Sequence, residues 1–326
     1  MKALITGGAG HVGAALSRTL LERGHTVRAM VRSEATGLDG LPVERMTADI
    51  GDPRSLASAF RGVEVVFHTA ARISIVRGDR DLVDATNVGG TRNVLDACRA
   101  AGVKRLVYFS SIEALEPVPL DQPVDEARPF VNHGSGSPYA LSKAHAELAL
   151  RDAIAEGMDA IILNPTAIIG PFDFKPSFLG QALLSFARGR IPMLIEGGFD
   201  WVDVRDVSGA AVTAAERAPR GGRYIIGGRY ASMVELAQIV CSEVGVTPPR
   251  LVCPFAVASA FAPVSMAFCS LTRRPPLYTT YSLRVLKGNK HVSHNKAASD
   301  LGYRPRDLRE TVRDALAWFR QTGRLA

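Results

Sequence analysis

Two groups of residues have types and spacings that could do chemistry. Tyr139-Ala140-Leu141-Ser142-Lys143 places a phenol and an amine four residues apart, which on a helix puts both side chains on one face. A free phenol loses its proton near pH ~10, and a lysine ammonium beside it favours the phenolate. Lowering the phenol by about three units is worth about 4 kcal/mol and makes it a usable proton donor to a carbonyl, or acceptor from an alcohol. Ser110-Ser111 ends the apolar run Arg105–Phe109. A serine there can hydrogen-bond a substrate oxygen where charge develops, orienting and polarising it with no nucleophilic role. Alone, either motif is weak: Tyr-x-x-x-Lys is common, and Ser110-Ser111 also reads as a turn or cap.

A third motif says what sits opposite that phenol. Thr6-Gly7-Gly8-Ala9-Gly10-His11-Val12-Gly13 follows a first apolar run and opens a helical one. The glycines fit both G-x-x-G-x-x-G and G-x-G-x-x-G. The first allows a tight turn, the middle one lets backbone approach a pyrophosphate, and the last lets helix and strand pack closely. Unpaired N–H groups at the helix start then meet the phosphates. This strand–turn–helix setting implies a dinucleotide, and an oxidised nicotinamide would add its own positive charge near the phenol. An NAD enzyme usually ends its second strand with Asp or Glu for the ribose 2′-hydroxyl. Here Val27-Arg28-Ala29-Met30-Val31-Arg32-Ser33 has no acid, and Arg32 stands where a 2′-phosphate could be paired. NADP(H) is therefore the expected cofactor, with NAD(H) the alternative and a plain surface role the other reading of Arg32. Asp49-Ile50, after the third strand, is placed to border the adenine.

The elements around these motifs alternate. Ala3–Ile5, Thr26–Val31, Glu64–His68, Arg105–Phe109 and Ala160–Leu163 read as strands, the last stopped by Pro165. Ala14–Arg23, a pattern through Asn93–Cys98 ending at Gly102, and Tyr139–Ala155 read as helices. Such alternation predicts an α/β fold, a doubly wound parallel sheet with right-handed crossovers. Residues 1–165 should form the dinucleotide-binding domain, with sheet and helix segments returning at about 200–230. Residues 166–326, broken by prolines and glycines, should be a smaller α/β region that mainly binds substrate.

Composition narrows the class. The 326 residues are 47% hydrophobic, enough for a large core. Cys98, Cys241, Cys253 and Cys269 are scattered, so neither a metal site nor a disulfide framework is expected, and a reducing cytoplasm fits. The apolar start is cut by Gly7 too early for a secretory signal. The net charge of +7 falls mostly on residues 284–326, with ten Lys/Arg against four Asp/Glu. That tail lacks the basic–aromatic interleaving used on nucleic acid, and reads as a solvated surface. Leu251 to Thr272 carries no charge. Pro254, Pro263 and three serines argue against a membrane span. A buried helix pair or a lid over an apolar substrate fits better, with reversible membrane contact, helped by the basic tail, as the alternative.

Together these residues resemble the extended short-chain dehydrogenase/reductase family over essentially the whole chain. The resemblance rests on the motifs above and on Phe67-His68-Thr69-Ala70-Ala71, Asn87-Val88-Gly89-Gly90-Thr91, Asn164-Pro165, Asp203-Val204-Arg205-Asp206 and Lys296–Tyr303. It implies that Ser111, Tyr139 and Lys143 are the catalytic set and that Lys143 also holds the nicotinamide ribose. It further implies that Ala70 and Ala71 line the cofactor channel, that Asn87 supports it, and that backbone after Pro165 meets the carboxamide. The family's sugar-nucleotide dehydratases carry Thr-Asp-Glu where this chain has Ser111-Ile112-Glu113, so the acid for water elimination is missing. Ala114-Leu115-Glu116-Pro117 replaces the Tyr-Gly pair typical of epimerases. What remains is similar to dihydroflavonol 4-reductases and 3β-hydroxysteroid dehydrogenases. The expected activity is an oxidoreductase acting on a ketone or secondary alcohol of an apolar, steroid-, flavonoid- or polyketide-like small molecule. The alternatives are a redox-neutral epimerase or isomerase, and a cofactor-binding sensor. Glu113 reads as a second acid/base, a contact to a substrate hydroxyl, or a solvated carboxylate, and Asn164 as a substrate contact. The resemblance also implies a homodimer through helices at about 80–101 and 138–155.

Overall fold

The computed structural model describes residues 1–74, 77–260, 283 and 285–325. Its centre is a seven-stranded parallel sheet. In chain order the strands are β1 (Lys2–Thr6), β2 (Thr26–Val31), β3 (Glu44–Thr47), β4 (Val65–His68), β5 (Arg105–Phe109), β6 (Ala160–Pro165) and, after three strands outside the sheet, β10 (Arg223–Ile226). Their spatial order is β10-β6-β5-β4-β1-β2-β3. The order reverses between β1 and β4, and a doubly wound sheet binds its ligand outside the strand ends at such a point.

Period-two alternation divides the sheet's side chains between two cores. Ala3, Ile5, Val65, Phe67, Val107 and Phe109 face one layer, which holds helix α1 (His11–Glu22) and α7 (Val204–Arg217). Leu4, Val66, Leu106 and Tyr108 face the other, with α2 (Pro53–Phe60), α4 (Gly90–Ala101) and α5 (Pro138–Ala155). Nearly all these strand residues are buried, which is why the strands read as continuous apolar runs.

The helix bounds follow from their caps. Helix α1 begins at His11, directly after the glycine turn and three residues before the apolar stripe. The Ser137 hydroxyl accepts from Ala140 N and Pro138 takes the first turn, so α5 starts just ahead of Tyr139. Gly102, at φ +65°, ends α4. Ahead of α4 run α3 (Arg80–Asp84) and a π turn, Ala85–Gly89, which contains Asn87; such turns often mark functional sites. Helix α2 has no counterpart in the sequence reading, although Asp52-Pro53 supplies its cap and first turn. Strand β6 runs through Pro165 to its end instead of stopping before it; there Pro165 pairs with Ile226 and the missing N–H costs only a terminal bond.

After β6 come β7 (Ala167–Ile169), α6 (Phe178–Ala187), β8 (Met193–Ile195), β9 (Gly198–Asp203), β11 (Arg229–Ser232), α8 (Met233–Val244) and β12 (Leu251–Cys253). Last are α9 (Asn295–Leu301) and α10 (Leu308–Gln321). Helices α6, α8 and α10 share a third core with the small sheet β11-β9-β7. In the first part of the uncharged stretch, residues 255–260 are helical as expected, but Leu251–Cys253 is a strand paired with β8, and Leu251, Val252 and Val257 are exposed, against the expectation of burial. Residues 261–272 of that stretch, with Cys269, lie outside the described residues. Among the described residues no helix is long and apolar enough to cross a membrane.

Candidate active site

The glycine loop has the shape of a phosphate cradle, and no larger residues would leave it so. Gly7 sits at φ +73°, and a Cβ there would lie 2.9 Å from Ala70 Cα. At Gly13 a Cβ would lie 2.3 Å from the Gly7 carbonyl oxygen, so helix and turn are in contact. The turn is closed by Gly10 N donating to Gly7 O at 2.9 Å. Gly10 caps α1 without a side chain, and the first bond within the helix runs from Ala14 N to Gly10 O. The N–H groups of His11, Val12 and Gly13 therefore precede the helical ladder and suit an anion. The His11 ring adds a tie to later chain, 2.9 Å from Pro171 O.

Around this cradle the other expected cofactor residues fall into place unevenly. Arg32 is 77% exposed at the end of β2, 3.9 Å from the Asp49 carboxylate. Asp49 lies on the rim and accepts from Gly51 N at 2.8 Å. The Ile50 side chain is instead buried against Gly90, leaving only its backbone for the rim. Ala70 N faces Thr6 Oγ1 at 3.3 Å, and Ala71 is exposed. Asn87 accepts from Arg72 N at 2.7 Å and donates to Arg72 O at 3.0 Å and Ser142 Oγ at 2.9 Å. It staples the loop after β4 to helix α5.

At the ends of β5 and β6 the three catalytic candidates converge. Ser111 and Tyr139 are within hydrogen-bond reach through their side chains, and Ser111 Oγ also accepts from Glu113 N at 3.2 Å. Lys143 Nζ donates to Phe109 O at 2.7 Å, pinning helix to strand end, and is buried. Burial pulls Lys143 down to about 7, with Glu147 acting in the opposite direction. Burial, then the charge of Glu113, pushes Tyr139 above the usual tyrosine range, and Ser111 offsets only part of this. This is opposite to the lowering expected from the sequence. Desolvation of a phenolate outweighs the help available from an ammonium committed to a backbone carbonyl.

Comparison with known proteins decides the family. The model of the NAD dependent epimerase/dehydratase family matches residues 3–227. The chain belongs to that family. Sterol demethylase protein B of Methylococcus capsulatus is 38% identical over 99% of both chains. The 3 beta-hydroxysteroid dehydrogenase/Delta 5-->4-isomerase of Mycobacterium tuberculosis is 30% identical over 93% of this chain and 86% of its own. The crystal structure of gox2253 superposes with a TM-score of 0.88, at 36% identity and 99% coverage of both chains. The protein is thus an NAD(P)-dependent enzyme of the extended short-chain dehydrogenase/reductase type, as its motifs implied.

Several residues of this dehydrogenase/reductase site escape a reading of motifs. Behind the glycine loop, the buried His68 ring lies 2.7 Å from Thr6 Oγ1 and 3.0 Å from Thr91 Oγ1. Burial, with Lys143 adding to it, pulls His68 down to about 3, so it is neutral. Asn164, expected at the substrate, is fully buried instead: Nδ2 donates to Ser111 O at 3.1 Å and Glu147 Oε2 at 3.0 Å. Next to Ser111 and Tyr139 in the chain, Ile112 and Ala140 line a cavity of about 140 Å³, walled also by Glu113, Leu115, Val131, Phe199 and Val292. Asp200 lines it too, buried, with Oδ1 accepting from Gly228 N at 2.7 Å. Burial raises the Asp200 carboxyl.

Proposed function

We propose that the protein is an NADP(H)-dependent reductase of a ketone in an apolar, steroid-, flavonoid- or polyketide-like molecule. The convergence of Ser111, Tyr139 and Lys143 beside an apolar-walled cavity carries this reading. The cradle of Gly7, Gly10, His11, Val12 and Gly13 suits the pyrophosphate, because a Cβ at Gly7 would run into Ala70 and one at Gly13 into the Gly7 carbonyl, so only glycines let the turn close against the start of α1. Asp49, the Ile50 backbone, Ala70, Ala71, Asn87 and backbone at Pro165 would complete the cofactor groove. When bound, the nicotinamide supplies or accepts the hydride. The rest is the chain's own work. Ser111 holds the substrate oxygen, and Tyr139, kept protonated by burial, gives that oxygen a proton.

The lining also argues against sugar nucleotides. A nucleoside diphosphate calls for cations, and the charged side chains on the described cavity wall are Glu113 and Asp200. Glu113 fits a contact to a substrate hydroxyl better than an acid/base, since its charge opposes ionisation of Tyr139. Residues 166–326 supply half of the described lining, including Thr166, Phe199, Asp200 and Val292, which supports their role as the substrate-binding region. Purified protein should oxidise NADPH with a ketone of this class. Turnover with no net change in reduced nicotinamide would replace the reading with an epimerase.

Cofactor choice rests on Arg32. Arg32→Ala should weaken NADPH binding about tenfold, the loss of one exposed charge-assisted contact, and leave NADH unchanged. Fluorescence titration of both cofactors checks this; an equal loss for both would return Arg32 to the plain surface. We also infer a two-fold homodimer through α4 and α5. They flank a surface groove lined by Leu95, Arg99, His145 and Leu148, with Leu148 exposed. Light scattering should give twice the mass of one chain, and a single-chain mass would remove the claim. The free thiols of Cys98, Cys241 and Cys253 fit a reducing cytoplasm.

A further inference from the structure

Among the described residues, one fully buried charged side chain on the helix that carries Tyr139 and Lys143 is not among the three catalytic candidates. Glu147 is fully buried one helical turn beyond Lys143, so Tyr139, Lys143 and Glu147 follow one another along a single face of α5. Its carboxylate lies 2.6 Å from Arg223 Nε of β10 and 3.0 Å from Asn164 Nδ2 of β6. Asn164 passes the tie on to the Ser111 carbonyl at 3.1 Å. Arg223 is held in turn by the Glu126 carbonyl at 2.7 Å and lies over the Phe130 ring.

An isolated buried carboxylate is costly, so a fold keeps one only where partners offset the cost. Here the partners are Arg223 and Asn164, and Lys143 lies one turn back on the same helix face. We propose that Glu147 is a positioning residue, the counter-charge that keeps the Lys143 ammonium in place and, through Asn164, fixes the strand end carrying Ser111. This rests on the reading of Lys143 and Tyr139 given above.

The charged and titratable groups facing Lys143 and Glu147 come from every neighbouring element. Helix α5 contributes Tyr139 and Arg151, the latter 3.7 Å from Glu147. Strand β5 places the Tyr108 ring 5.0 Å from Lys143 Nζ. Strand β4 adds neutral His68, β10 adds Arg223, and the loops add Glu113 and Glu126. Burial pulls Lys143 down and Glu147 acts to raise it, so loss of the carboxylate moves Lys143 further down. Loss of Arg223 removes the nearer of the two guanidiniums beside the carboxylate, Arg151 remaining 3.7 Å away, and moves Lys143 up.

The test compares Glu147→Gln, Arg223→Gln and the double variant with wild type. The pH profile of kcat for ketone reduction is one readout. The other is the Cε resonance of Lys143 in cofactor-free protein labelled with ¹³C-lysine, assigned by its loss in Lys143→Arg. Glu147→Gln should shift the alkaline limb and the Lys143 midpoint down by about one pH unit, the order of shift one nearby charge produces. Arg223→Gln should shift both up, and the double variant should lie between the singles. If Glu147→Gln lowers activity equally at every pH and leaves the Lys143 midpoint unmoved, the role is merely structural and the proposal is overturned. Should Glu147→Gln fail to fold, the upward shift in Arg223→Gln decides the matter. If wild type reduces no ketone, the functional reading fails, while the resonance still settles the role of Glu147.

Discussion

Tyr139→Phe should lower ketone reduction by about 10³-fold and leave the fold and NADPH affinity nearly unchanged. General acid catalysis by one side chain is commonly worth about 10²–10⁴. The upper half of that range applies because no neighbour is placed to take over. Lys143 Nζ, one turn along α5, is committed to Phe109 O at 2.7 Å. Phenylalanine keeps the ring that packs at the start of α5 and removes only the hydroxyl beside Ser111. The loss should therefore fall on kcat with KM little changed. A variant that kept a tenth of wild-type turnover would mean that water or Ser111 delivers the proton.

Gly13→Ala should abolish measurable cofactor binding and lower stability by about 1–3 kcal/mol, the usual cost of overpacking a tight contact. The added Cβ would lie 2.3 Å from the Gly7 carbonyl oxygen and 2.8 Å from Gly8 Cα. Both neighbours are backbone, so the turn itself must move. That movement displaces the N–H groups of His11 and Val12 and breaks the approach of Gly7 to Ala70. NADPH affinity should fall at least about 100-fold, read by fluorescence titration beside a thermal melt. Normal affinity would show that the phosphates lie elsewhere. Gly209→Ala, within α7, where an added Cβ meets only the Arg23 guanidinium at 3.8 Å and the backbone is not left-handed, controls for adding a methyl to a helix.

The parts of this site legible in the sequence are those written over short stretches of chain. Gly7 to Gly13 declares a strand–turn–helix because three glycines recur at fixed offsets. Tyr139 and Lys143 announce themselves by one helical turn, and Ser111 by its place after an apolar strand. The doubly wound sheet followed from the same local alternation. What was not legible depends on contacts between distant residues. Nothing near Glu147 indicates that Arg223, on a strand added late at the sheet's edge, lies 2.6 Å away. Nor does the chain near Thr6 disclose that its hydroxyl meets His68, whose other ring nitrogen meets Thr91.

Environment also reversed some local expectations. Asn164 follows an apolar strand toward the site, yet its side chain turns inward to Ser111 and Glu147. Tyr139 beside a lysine suggested an easily ionised phenol, and burial reversed the sign. Ile50 was expected at the adenine, and its side chain fills a notch that Gly90 leaves open. In each case the missing quantity was solvent exposure, which only the packed fold supplies.

The central claim is net hydride transfer to a ketone, and deuterium tests it directly. NADPH deuterated at the transferring C4 position would be incubated with the protein and a panel of steroid, flavonoid and polyketide ketones. The product alcohols would then be analysed by mass spectrometry. The account predicts an alcohol carrying one deuterium on its carbinol carbon, formed in step with loss of reduced cofactor, and absent with Tyr139→Phe. No deuterated alcohol from any ketone, or epimerised substrate with the label still on the cofactor, would contradict it.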